Sequence, residues 1–98
     1  MIVVIARLKA KKGLREDAVR ASYESIEATR KEKGCISYEL FASAENETDL
    51  AFVEKWEDAD SLRAHLNTEQ LKKAQDARAP FLSGPMDVQA FEAAPLSL

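Results

Sequence analysis

The chain has 98 residues, 46% of them hydrophobic and 32% charged, with a formal net charge of −3. That length suits a single domain over residues 1–98, and the slightly acidic balance leaves no electrostatic footprint for nucleic acid. One Cys excludes an intrachain disulfide and a CxxC redox motif, and one His excludes any metal site needing two imidazoles from one chain.

Ile2 to Ala10 opens as a β-branched apolar run and then alternates, which predicts a strand buried on both faces at its start and half-exposed at its end. The run stops at Arg7, far short of the ~20 apolar residues of a membrane span, and it lacks the basic start of a signal peptide. The expectation is no membrane partner and a cytoplasmic address. Leu14 to Lys33 has helical spacing: Leu14, Ala18, Ser22, Ile26 and Thr29 form one stripe. Glu16, Arg20, Glu27 and Lys31 on the opposite side make two i,i+4 pairs, worth only ~0.3 kcal/mol each. Gly34 sits where a left-handed residue closes a helix.

Cys35 to Ala44 alternates, with Ile36, Tyr38 and Leu40 on one face and Ser37, Glu39 and Phe41 on the other. A polar loop over 45–49 leads to a strand from Leu50 to Glu57. There Ala51, Val53 and Lys55 share one face, and Leu50, Phe52, Glu54 and Trp56 the other. Asp58 or Asp60 caps a helix carrying Leu62 and Leu66. Thr68 caps a second helical piece, in which Leu71, Ala74, Arg78 and Phe81 share a side until Gly84-Pro85 stops it. Met86 to Ala93 is a last strand.

The order β-α-β-β-α-β predicts an α+β, ferredoxin-like fold: a four-stranded antiparallel sheet with the helices on one face. The uncovered face is expected to carry Phe41, Leu50, Phe52 and Trp56. Such a face predicts a homodimer whose two sheets meet around a cavity.

No GxGxxG or GxxxxGK[ST] is present, and no His, Cys and carboxylate cluster has metal spacing, so neither cofactor nor metal is expected. Cys35 reads as a small buried hydrophobe, and Tyr23 and Tyr38 as packing residues. What remains is Glu39, Phe41, Phe52, Glu54 and Trp56 on one sheet face, with His65 on the following helix. A carboxylate in an apolar pocket has a raised pKa and suits general acid–base work. The plainer alternative places Glu39 and Glu54 at the sheet edge, or in ion pairs across a dimer. Histidine is the side chain best suited to proton transfer near neutral pH, which makes His65 a candidate.

Gly34-Cys35-Ile36-Ser37-Tyr38-Glu39-Leu40, Phe52-Val53-Glu54-Lys55-Trp56-Glu57-Asp58 and His65-Leu66-Asn67-Thr68 resemble the antibiotic biosynthesis monooxygenase family, near the quinol monooxygenases. The resemblance runs from Ile2 to about Phe91 and implies a dimeric α/β-barrel arrangement of ferredoxin-like domains. It implies a cofactor-independent monooxygenase that oxidises a small aromatic quinol or phenol with O₂ in a pocket on the open sheet face. His65, Trp56 and Glu54 are then the catalytic candidates, and Glu39, Phe41 and Phe52 the substrate-binding ones. His65 matches the first His of the family pattern H-L-x-T-x-H, while Gln70 stands at the second. Ala6 or a neighbour stands where the haem-degrading members use Asn, so that chemistry is not expected. A non-catalytic ligand-binding dimer and an acid–base isomerase are the competing functions for the same fold.

Overall fold

The computed structural model describes residues 1–98. Strand β1 (Ile2–Lys9) is followed by helices α1 (Arg15–Arg20) and α2 (Tyr23–Arg30), then strands β2 (Cys35–Ala42) and β3 (Asp49–Trp56). Helices α3 (Ala59–Leu66) and α4 (Glu69–Arg78), a 3₁₀ turn over Ala79–Phe81 and strand β4 (Asp87–Glu92) complete the chain. The sheet order is β2-β3-β1-β4 with every neighbouring pair antiparallel, the ferredoxin-like arrangement.

The expected first helix is two helices. Ser22 donates its hydroxyl to the Ala18 carbonyl at 2.9 Å, and its backbone N–H bonds Val19, three residues back. That local competition bends and interrupts the helical ladder at 21–22. The buried stripe survives the break, since Ala18, Ser22, Ile26 and Thr29 are all buried. On the outer side Arg20 pairs with Asp17 at 3.1 Å and not with Glu16. No Glu27–Lys31 bridge forms among the three ion pairs present. The later caps are as the sequence predicts: Asp58 accepts from Ser61 N at 2.8 Å, and Thr68 from Leu71 N at 3.3 Å.

Residues directly opposite on antiparallel strands share a face. The pairs Ile2↔Trp56, Val4↔Glu54, Ala6↔Phe52 and Leu8↔Leu50 therefore form one surface, extended by Tyr38↔Glu54 and Leu40↔Phe52. The helices cover this surface, and Ala18 and Ile26 join it in the core. The opposite surface holds Ile5↔Val53, Phe41↔Ala51, Glu39↔Val53 and Val3↔Phe91. This corrects the expectation that Phe41 shares the uncovered face with Leu50, Phe52 and Trp56. The periodicity within each strand was legible, but the register joining two strands was not. Phe41 is 50% exposed, whereas Trp56 is 0% exposed. A bulge between Cys35 and Ser37 also takes Ile36 out of line with Tyr38 and leaves it exposed.

Gly34 has φ +82, and a Cβ there would overlap the Ser61 side chain. The glycine thus lets the first turn of α3 settle on the start of β2, where its carbonyl accepts from Glu57 N at 2.8 Å. Gly34→Ala is expected to cost about 1–3 kcal/mol through backbone strain and the overlap. In thermal denaturation that is a fall of roughly 5–15 °C; an unchanged midpoint refutes it.

Candidate functional site

Between the covered sheet face and the α3–α4 side lies a cavity of about 130 Å³. Its walls are mostly apolar: Val4, Ala6, Phe52, Leu62, Leu71, Met86 and Val88 among them. Into this lining project Tyr38, Glu54, His65 and Arg78. The cavity that gathers Phe52, Glu54 and His65 is thus on the helix-covered face, not on the open face where the sequence placed these residues.

Strand alternation delivers Tyr38, Phe52 and Glu54. Tyr38 and Phe52 rings lie 5.2 Å apart, and Tyr38 meets the His65 ring edge-on at 5.5 Å. Helix α3 delivers His65, one turn beyond Leu62. His65 is 3% exposed, and its Nδ1 lies 2.7 Å from Glu32 Oε1. The carboxylate accepts, so Nδ1 donates, and in the neutral imidazole Nε2 is the nitrogen left with a lone pair. Glu32 is in turn fixed by Gln70 Nε2, which donates to Glu32 Oε2 at 2.8 Å and to Thr29 Oγ1 at 2.9 Å. Ser25 Oγ closes the network by donating to Gln70 Oε1 at 2.8 Å. The result is an imidazole whose tautomer and ring angle are set from outside the cavity.

Trp56 is brought to the site but does not line it. Its indole stacks on His65 with centroids 4.8 Å apart, and Nε1 donates to Glu54 Oε1 at 3.0 Å. It supports the two titratable groups from behind. Burial pushes the Glu54 carboxyl above its usual range, opposed by the Trp56 hydrogen bond and by the charges of His65 and Arg78. Burial likewise pushes the Tyr38 phenol well up, with the Glu54 charge adding to it, so Tyr38 stands as a neutral hydrogen-bond donor. The Cys35 thiol is raised by burial and by Glu32 and Glu54, which agrees with a packing role and not a nucleophilic one.

Glu39 and Phe41, expected among the substrate contacts, are not brought to the cavity. They lie on the uncovered face opposite Val53 and Ala51. Four residues of the site escaped the sequence reading. Tyr38 packs in the core as expected and also lines the cavity, since its alternation with Glu39 puts the two on opposite faces. Glu32 reaches His65, and Gln70 reaches Glu32, from outside the core stripes, and no spacing announces that. Arg78 had a signal, a charge in the apolar series Leu71, Ala74, Phe81.

The raised Glu54 makes stability depend on pH in a stated direction. A carboxyl with a higher pKa folded than unfolded binds its proton more tightly in the native state. Its contribution is present below the ordinary value of 4.5 and is lost as pH rises through the raised one. Glu54→Gln removes this loss. The variant's stability relative to the wild type is expected to rise between pH 4 and pH 8 in parallel urea titrations. A difference that is flat with pH refutes the assignment.

The model of the family described as antibiotic biosynthesis monooxygenase matches residues 1–77. The chain belongs to the antibiotic biosynthesis monooxygenase family. It is 30% identical over 88 residues to a Bacillus subtilis protein named "Putative monooxygenase YcnE", covering 90% of this chain and 93% of that one. It is 27% identical over 93 residues to the uncharacterized protein sll1783 of Synechocystis. That match takes in 95% of this chain but spans only 63% of the relative's length. A solved structure described as an antibiotic biosynthesis monooxygenase superposes with a TM-score of 0.87 at 26% identity, covering 97% of this chain and 100% of that one. Against the family pattern H-L-x-T-x-H, this monooxygenase-family chain keeps the first His as His65. At the second position Gln70 holds Glu32 and does not reach the cavity lining. No helix is long and apolar enough to cross a membrane.

Proposed function

We propose that the chain is a cofactor-independent monooxygenase that oxidises a small quinol or phenol with O₂ in the cavity beside His65. The observation that carries this is a buried imidazole, fixed by Glu32, facing an apolar cavity walled by Phe52 and Tyr38. His65 Nε2 takes a phenolic proton. The electron-rich anion then passes one electron to O₂, and the two radicals combine to form a C–O bond. The resulting peroxide anion takes the proton back from His65, and the hydroperoxide then loses the ring C–H hydrogen and the outer OH as water. Quinol and O₂ thus become a hydroxyquinone and H₂O, and the substrate supplies the electrons. The mostly apolar lining strengthens the donor bond from the neutral Tyr38 phenol to the developing oxyanion.

The test is O₂ uptake by purified protein across a panel of single-ring quinols, with quinone formation followed optically. Catalysed uptake matched one to one by product supports the reading. A rate no higher than that of the His65→Gln variant refutes it.

The same reading includes a homodimer through the uncovered sheet face. Val3, Ile5, Ala51 and Val53 form its centre, and Phe41 and Phe91 stand half-exposed at either side. A hollow of about 650 Å³ runs past Ile5, Phe41 and Val53. An apolar face of this kind favours association. Sedimentation at micromolar concentration is expected to give twice the 10.9 kDa chain mass. Phe41→Glu is expected to shift the equilibrium toward monomer. A monomeric wild type refutes the dimer.

A further inference from the structure

The cavity wall holds a buried cation with no ion-pair partner in the protein. Arg78 ends α4 and is 1% exposed. Its guanidinium stands over the Phe52 ring, 5.1 Å from the centroid. Its one hydrogen bond is long, from Nη1 to Ser22 Oγ at 3.4 Å, and Nε is buried with no partner. No carboxylate lies within ion-pair distance, since the three pairs present join Arg20 to Asp17, Arg63 to Asp60 and His65 to Glu32. Glu54 shares the wall, but its Oε1 already accepts from Trp56. A guanidinium offers five donors in a flat fork and is costly to bury unpaired. Its natural complement is a planar oxyanion held by two parallel hydrogen bonds.

We propose that Arg78 anchors the carboxylate of a one-ring aromatic acid bound in this cavity. The volume limits the guest to a single ring: a cavity of ~150 Å³ holds benzene, and this one measures about 130 Å³. The apolar lining takes the ring, Phe52 supplies an aromatic wall, and Arg78 supplies the missing charge complement. As a statement about substrate, this rests on the oxygenase reading and narrows it to acid-bearing phenols. As a statement about binding, it needs no turnover.

The experiment compares two isosteric probes, 4-hydroxybenzoate and 4-hydroxybenzamide, by calorimetry on the full chain without O₂ at neutral pH. The acid is expected to bind about tenfold or more tightly than the amide, the usual scale of a charge-assisted bond. Arg78→Gln is expected to abolish the preference, and Arg78→Lys, which keeps the charge without the fork, to retain part of it. Equal affinities in the wild type, no binding of either probe, or a preference that survives Arg78→Gln overturns the proposal. The wild-type comparison decides even where Arg78→Gln fails to fold. Binding of the acid with no O₂ uptake supports the Arg78 anchor while refuting the oxygenase reading, so the two failures are distinguishable.

Discussion

His65→Gln is expected to lower the rate of quinol oxidation about 10²–10⁴-fold, the usual contribution of a positioned general base. The glutamine can still occupy the space beside Trp56 and donate toward Glu32, but it has no basic lone pair to offer the cavity. The loss should fall on kcat and kcat/KM alike, because proton removal matters in the transition state and not in binding. Glu54→Gln is the control. Glu54 already accepts a bond from Trp56, so its conversion to the amide should cost less than the loss of His65. A His65→Gln enzyme within tenfold of the wild type, or a larger loss from Glu54→Gln, reassigns the base.

Trp56→Ala is expected to be the most damaging single substitution for stability. The side chain is fully buried against His65 and beneath the α3 end of the sheet. Truncating a large buried aromatic costs about 3–5 kcal/mol, against a total of only about 5–15 kcal/mol for a domain. For a chain of this size that corresponds to a fall in melting temperature of roughly 15–30 °C. Trp56→Phe separates volume from hydrogen bonding. It keeps most of the packing but strips Glu54 of its donor, so the Glu54 carboxyl should move further above its usual range. Thermal melts of both variants at two pH values check this, and a Trp56→Ala midpoint within 5 °C of the wild type sinks it.

The element order was readable because each strand and helix carries its own period. The Ala18 to Thr29 stripe, the alternation of β2 and β3, and the Asp58 and Thr68 caps all appear in the structure. The helix break at Ser22 was not readable, since a serine in a helical stripe is silent until its hydroxyl finds the Ala18 carbonyl. The site was half legible. His65, Glu54 and Phe52 stood out by residue type and do meet in one cavity. Glu39 and Phe41 were grouped with them because alternation sorts residues within a strand but says nothing about which of its faces aligns with the next strand. That depends on the register Tyr38↔Glu54, which turn length and a bulge decide together. Glu32 and Gln70 lie 33 and 5 positions from His65, and only tertiary structure joins them.

The alternation along β3 gives one stretch of backbone two employers. Phe52 and Glu54 serve the cavity, while Val53 and Lys55 between them face the other way. Deleting one residue inside this strand would turn Lys55 toward His65 and expel Phe52 into water, spoiling both surfaces at once. The 45–48 turn that precedes it is exposed or half-exposed and carries no such double duty. Length variation among working relatives of this chain should therefore accumulate in that turn and spare the strand.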